Sequence, residues 1–321
     1  MVTRLDRTSG MLGADMTPIR MPPEAHPLAG RSLPDDEELW LACVAAMAAA
    51  GKRAAQPLYG RAAGRVILGQ GAGGDRTMEI DRACEKAMEA VLSVQAPFPH
   101  QLISEESGVS GSADTLWRVV VDPLDGSLNA KRGLAPFCAS VAVAKGATLG
   151  DVSVGYIEDF LRPHTFSALK GFGLISAGAP GEIIDPERFE SDLVEIVLLE
   201  AGRPDRHHFQ YQDLSAMGAV GRSQDMRIRQ LGSLALSLCY VAVGVADIMV
   251  AAVRSRSVDL AAGLLILSEA GGGAATLTGE DILAQPLDLG KRCAFVAWRA
   301  GLDGTEIVAR ARGLREALLH A

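Results

Sequence analysis

The sequence predicts a mixed α/β protein built in two halves. Three observations carry that reading. Short, β-branched apolar stretches follow one another from residue 101 to residue 169. After residue 194 such stretches alternate with helical patterns. Between them lies a segment rich in Gly and Pro, residues 178–186, the natural place for a boundary. A length of 321 residues agrees with two domains at about 100–200 residues each. The expected units are an N-terminal half over residues 34–182 and a C-terminal half over 183–321. Residues 1–33, with several prolines and polar side chains, read as a mobile extension in which Met11 or Met16 is an alternative start.

Residues 35–59 read as a helix. Asp35 and Asp36 suit its start, Trp40, Cys43, Ala46 and Met47 mark one face, and Pro57 lies near its end. Residues 66–68 are a short apolar stretch before a glycine-rich loop, 69–74. In residues 80–94, Ile80, Ala83, Cys84, Ala87, Met88 and Val91 recur at three and four, the period of an amphipathic helix. Residues 101–104 and 117–121 are strand-like and end at Glu105-Glu106 and at Asp122. Further strands are expected at 137–144, 152–157 and 166–169, with turns at 146–150 and 170–173. Beyond the boundary, 194–200 reads as a strand and 214–218 opens a helix. Then come a helix at 231–242, a strand at 246–253, a helix at 259–270 closed by three glycines, a strand at 293–298 and a last helix at 305–319. Ser233, Ser237, Gly244 and Asp247 interrupt the apolar run 231–253, which therefore reads as helix, turn and strand, not as a membrane span.

Composition narrows the function. Hydrophobic residues at 48% and charged residues at 22% are ordinary globular proportions. The net charge is −8 and no basic block stands out, which argues against a nucleic-acid partner or an anionic membrane surface. An anionic substrate would need added cations. Cys43, Cys84, Cys138, Cys239 and Cys293 are odd in number and scattered, without a CxxC pair. They read as free, mostly buried thiols of a reducing compartment, not as a zinc site. With no secretory signal pattern, the expected location is cytoplasmic.

Carboxylates stand at the ends of apolar segments: Glu105 after Ile103-Ser104, Asp122 and Asp125 after three valines, Asp259 before an apolar helix, and Asp81 at a helix start. Such positions converge on the crevice where α/β sheets place ligands. Hard cations such as Mg²⁺ want oxygen ligands. In Asp122-Pro123-Leu124-Asp125 the proline stiffens a turn, so that two carboxylates and the Leu124 carbonyl face one place. The Gly126 and Ser127 amides that follow suit a phosphate. Each acid alone reads as a solvated residue or a cap; their joint order is the informative feature.

Residues 103–107 (ISEES), 121–129 (VDPLDGSLN) and 258–263 (VDLAAG), followed by EAGG from Glu269, resemble the signatures of the inositol monophosphatase and fructose-1,6-bisphosphatase superfamily. Gly232-Ser233 before a helix and Lys170-Gly171-x-Gly173 are similar to its secondary landmarks. The resemblance spans roughly Asp35 to the C-terminus. It implies a layered α/β/α/β/α sandwich with metals between the halves, commonly as a homodimer. It implies Glu105, Asp122, Asp125 and Asp259 as side-chain metal ligands and Leu124 as a carbonyl ligand. Asp81 with Ser127 would orient and activate the attacking water. The Gly126 and Ser127 amides would hold phosphate, with Gly232 and Ser233 near the substrate. The implied cofactor is Mg²⁺, two or three per site, or Mn²⁺. The implied reaction is in-line attack of water on inositol 1-phosphate, fructose 1,6-bisphosphate or a similar small phosphomonoester.

Rival readings are open to test. Gly69-Gln70-Gly71-Ala72-Gly73-Gly74 matches a dinucleotide fingerprint, although Glu105 falls later than the usual acid. A covalent aspartyl phosphatase of the haloacid-dehalogenase type would need its second Asp two residues on; here the spacing from Asp122 to Asp125 is three. A non-catalytic sugar-phosphate-binding relative would be expected to lack part of the acid set. His207-His208 reads as a polar loop, and Trp40, Trp117 and Trp298 as packing. One departure bears on specificity. Ala252 stands where animal-type inositol monophosphatases carry a substrate-contacting glutamate, and Arg254-Ser255-Arg256-Ser257 follows. The guanidinium forks of Arg254 and Arg256 suit a clamp for a second anionic group, which predicts acceptance of bisphosphorylated sugars.

Overall fold

The apolar runs of the sequence become strands covered on both faces. The computed structural model describes residues 33–178, 193–200, 226–278 and 280–319. The extension, most of the 178–186 boundary, the expected helix start at 214–218 and His207-His208 lie outside the described residues. Helices α1 (Asp35–Ala55) and α2 (Glu79–Gln95) pack on one face of a seven-stranded sheet. In that sheet β3 (His100–Ser104) lies between β4 (Gly108–Ser110) and β5 (Trp117–Asp125). β6 (Cys138–Ala144), β7 (Val152–Asp159), β8 (Thr165–Leu169) and β9 (Gly173–Gly178) follow outward from β5. All neighbours are antiparallel except β3 and β5. The second sheet has the order β11 (Arg227–Arg229), β10 (Ile196–Glu200), β12 (Ile248–Ser255), β14 (Cys293–Trp298), β13 (Gly273–Thr276).

Strand alternation sorts side chains into three cores. Val119 and Val121 face Trp40, Met47 and Met88, whereas Val120 joins the core of α4 (Leu234–Ala242) and α5 (Ser257–Glu269). Met249, Ala251, Phe295 and Ala297 reach that middle core from the second sheet. Ile248, Val250 and Val296 point outward to Ile307 and Ala311 of α6 (Gly304–Leu319). The layers are therefore helix, sheet, helix, sheet, helix. Every residue of α5 from Ser257 to Leu267 is buried, because both sheets cover it. Gly263 lets α4 approach: a Cβ there would lie 2.6 Å from Leu238 Cδ1 and 2.9 Å from its Cβ.

Five strands, β2 (Arg76–Met78), β4, β9, β11 and β13, escape the sequence reading; β9 lies past the glycine turn at 170–173, and in the other four, three or four residues are too few to display alternation. The 231–253 run resolves as expected into α4, a turn at Gly244 with φ +71°, and β12. Among the described residues no helix is long and apolar enough to cross a membrane. Cys43, Cys84, Cys138 and Cys239 are free and buried. The dinucleotide reading fails on topology. β1 (Ile67–Gln70) pairs antiparallel with β2 in a separate two-stranded ribbon, so the glycine loop does not join a central strand to a helix. Because α4 and α5 meet at Gly263, Gly263→Val is expected to overpack the middle layer and cost about 1–3 kcal/mol, read as a lower urea midpoint.

Candidate active site

A one-residue irregularity in β5 builds the site. Asp122 pairs with Ser140 and Asp125 with Cys138, so two residues of β5, Pro123 and Leu124, oppose the single Ala139 of β6. In a regular strand, side chains three apart point to opposite faces. The extra residue cancels that, and Asp122, Leu124 and Asp125 all line one cleft. The expected strand end at Val121 followed by a stiff turn is thus corrected. The strand runs on through Asp125, and Pro123, which has no N–H to give the ladder, sits in the bulge.

The cleft holds about 300 Å³. Carboxylate oxygens of Glu105, Asp122 and Asp259 lie within 4.8 Å of one another. Glu105 arrives at the end of β3, Asp259 in the first turn of α5, where its Oδ2 accepts from the Arg256 amide at 2.7 Å. Asp122 Oδ1 accepts from the Leu124 amide at 3.0 Å. Asp125 Oδ2 accepts from Ser233 Oγ and from the Ala235 amide, both at 2.7 Å. Gly126 follows with φ +92°, and a Cβ there would come within 3.0 Å of Phe137 Cβ and Pro136 O. Ser127 Oγ donates to Leu124 O at 2.8 Å. Asp81, buried in the first turn of α2, accepts from the Met78 amide at 2.8 Å through Oδ2, while its Oδ1 has no hydrogen-bond partner.

The residues expected at the site separate into groups. Glu105, Asp122, Leu124, Asp125, Asp259, Gly126, Ser127, Gly232 and Arg256 line the cleft. Asp81 stands behind it. Ser233 is fully buried and spends its hydroxyl on Asp125, so it supports an acid and does not face a substrate. Arg256 corrects the expected clamp. Its three nitrogens make five polar contacts, the number of N–H groups a guanidinium carries. Nη2 meets Glu105 Oε1 at 2.5 Å and Asp259 Oδ1 at 3.1 Å. Nη1 meets Gly73 O at 3.1 Å and Asp75 Oδ2 at 3.2 Å, and Nε lies 3.4 Å from Asp259 Oδ2. No donor remains for a second phosphate. The Arg254 side chain lies outside the described residues.

Sequence reasoning missed two further residues. Arg292 lines the cleft and donates to Gly73 O at 2.8 Å. Glu200, buried at the end of β10, accepts from the Leu231 amide at 3.0 Å, the Gly232 amide at 3.1 Å and Ser237 Oγ at 2.9 Å. It thereby fixes the loop that holds Asp125. A carboxylate ending an apolar strand was the signal that singled out Glu105, and it was present at Glu200 as well.

Crowded acids out of water resist ionisation. Burial pushes the Glu105 carboxyl up to about 8; Arg256 pulls against this and Asp259 adds to it. Burial likewise raises Asp125 to about 7 against its bonds from Ser233 and Ala235, and Glu106 to about 7. Asp122 is raised well above the usual range by burial, then by Glu105, Asp125 and Asp259. Burial raises Asp81 too, opposed by the neighbouring Ser127 hydroxyl and the Met78 amide. The folded chain therefore binds more protons than the unfolded one between about pH 4, the ordinary carboxylate range, and about pH 8. Metal-free stability is expected to fall as pH rises through that window. Thermal melts in EDTA at pH 5 and pH 8 check this, and Mg²⁺ should restore the loss at pH 8.

Comparison with known proteins agrees with this frame. The model of the inositol monophosphatase family matches residues 36–321. The chain is 33% identical over 254 residues to a fructose-1,6-bisphosphatase/inositol-1-monophosphatase of Methanothermobacter thermautotrophicus, covering 76% of this chain and 86% of that one. It is 36% identical over 203 residues to a protein of Pasteurella multocida named Nus factor SuhB, covering 62% and 70%. The solved structure of an IMPase from Thermotoga maritima superposes with a TM-score of 0.66 at 24% identity, over 88% of this chain and 99% of that one, a likeness of fold. With its acid motifs mounted on this layered frame, the chain belongs to the inositol monophosphatase family.

Proposed function

We propose that the cleft hydrolyses a phosphomonoester of a small polyol or sugar, with inositol 1-phosphate and fructose 1,6-bisphosphate as the leading substrates, and that it does so with a divalent cation. The carrying observation is the convergence of Glu105, Asp122 and Asp259, with oxygens inside 4.8 Å, beside the buried Asp125. This donor set is all oxygen, the preference of Mg²⁺ or Mn²⁺, and acids this close need positive charge to ionise together. A divalent ion held by these residues would supply Lewis acidity to the phosphoryl group.

The chain's own groups divide the remaining work. The first amides of a helix have no intrahelical carbonyl partner, and those of Gly126 and Ser127, where α3 (Ser127–Arg132) begins, suit phosphate oxygens. Asp81 Oδ1, buried and unpartnered, is an acceptor for the attacking water, with the Ser127 hydroxyl beside it. Glu200, through Leu231 and Gly232, keeps Ser233 on Asp125 and so keeps the other Asp125 oxygen aimed at the cleft. Arg76 and Arg292, exposed on the cleft lining, are the cations a second anionic group would meet, in place of Arg256. Relatives named Nus factor SuhB favour a second reading, a role that needs no turnover.

Phosphate release from a panel of inositol monophosphates, sugar mono- and bisphosphates and nucleotide 3′-phosphates separates the two. Activity should vanish in EDTA and return with Mg²⁺ or Mn²⁺; metal-saturated protein that releases no phosphate from any of them supports the second reading. Asp125→Asn is expected to lower kcat by at least about 100-fold, since loss of outer partners alone costs 10–100-fold. Asn still accepts from Ser233 and Ala235, so the metal-free melting temperature should barely move. Arg292→Ala should raise KM for a bisphosphate more than for a monophosphate; equal changes would place the second anion elsewhere. A phospho-Asp trapped on Asp122 or Asp125 would instead establish the covalent route.

A further inference from the structure

An arginine lies inside the acid cluster. The Arg256 side chain is only 7% exposed, and one of its nitrogens bridges Glu105 and Asp259, two of the three acids whose oxygens converge. The other terminal nitrogen reaches Gly73 O and Asp75 Oδ2 in the glycine-rich loop. That loop is laced through its backbone to Glu105 and its neighbour: the Gly73 amide donates to Glu105 O at 2.7 Å and the Ala72 amide to Glu106 O at 3.1 Å. One buried guanidinium thus joins the carboxylates to the loop above them.

We propose that Arg256 is a resident cation that competes with divalent metal for Glu105 and Asp259, and that its withdrawal on metal binding loosens the 71–75 loop. The inference rests on the metal-centre reading above. Each carboxylate oxygen that faces Nη2 is one a metal would need, and two cations cannot share that place, since like charges in a buried cleft repel strongly. With no metal, the guanidinium offsets part of the repulsion among the acids. With metal, Glu105 Oε1 and Asp259 Oδ1 change partners, and Arg256 leaves with the tether it gives Gly73 and Asp75. A group that merely oriented the ligands would have the opposite effect on affinity, because its removal would weaken the metal.

The test is equilibrium Mn²⁺ binding followed by electron paramagnetic resonance, with no turnover involved. Arg256→Met is expected to bind Mn²⁺ at least about tenfold more tightly than wild type. Arg256→Lys, which keeps the charge but loses the fork, should lie between the two. Hydrogen exchange on the wild-type chain is the second measurement and needs no variant. Saturating Mg²⁺ should speed exchange at the Ala72 and Gly73 amides at least several-fold. Unchanged or weaker Mn²⁺ binding in Arg256→Met overturns the proposal, and so does slower or unaltered exchange at those amides when the wild type is metal-saturated. If Arg256→Met does not fold, Arg256→Lys and the wild-type exchange decide. Wild-type protein that binds no Mn²⁺ sinks the metal-centre reading itself, a result distinct from failure of the competition.

Discussion

Carboxylates crowded into one water-poor cleft repel one another, and much of this architecture offsets that repulsion. Four of the acids are anchored through one oxygen by a nearby backbone or hydroxyl donor, whereas the Glu105 carboxylate takes the Arg256 guanidinium. Asp122 takes the Leu124 amide, Asp125 takes Ser233 and Ala235, Asp259 takes the Arg256 amide, and Asp81 takes the Met78 amide. Those donors come from the seven-stranded sheet, from the two-stranded ribbon and from the starts of both helices of the middle layer. The site is therefore held by tertiary structure, and no single segment carries it.

This explains why the two halves meet as they do. Asp125 belongs to the seven-stranded sheet, yet its hydrogen bonds come from the start of α4, beyond the Gly- and Pro-rich stretch. Asn129 adds a second link, donating to Leu231 O at 2.7 Å and to Pro136 O at 2.8 Å. The buried Glu200 closes the arrangement from the second sheet. A loss of contact between the sheets would thus reach the acids as well as the middle core that both sheets share.

The fold was legible where apolar periodicity ran long enough. α1, α2, α5, β5, β6 and β14 stand within a few residues of their expected places, and the apolar stretch before Gly244 and after it separated correctly into helix and strand. Strands of three or four residues were illegible because a period of two cannot appear in so few, and β9 went unread because the glycine turn at 170–173 marked the end of the sheet. The acids at the site were legible through their joint order, since each alone reads as a solvated residue or a helix cap. What could not be read was direction. Arg254 and Arg256 looked alike in sequence, but only three-dimensional packing reveals that Arg256 turns inward onto Glu105 and Asp259. Ser233, likewise, faces an acid from within the core.

The bulge in β5 has a consequence for how this chain tolerates change. Deleting Pro123 or Leu124 would give the sheet a regular ladder against β6, with every backbone group paired in simple register. Measured as a sheet, the shortened strand would be the better one. The deletion would leave Asp125 two residues from Asp122, opposite Cys138 and on the same face, so Ser233 and the Ala235 amide would keep their acid; removing both residues would make the two aspartates neighbours and turn Asp125 to the opposite layer, toward α1 and α2. Spacing between these two aspartates is thus constrained by parity: one residue fewer keeps both acids on one face, whereas two fewer turn Asp125 out of the cleft.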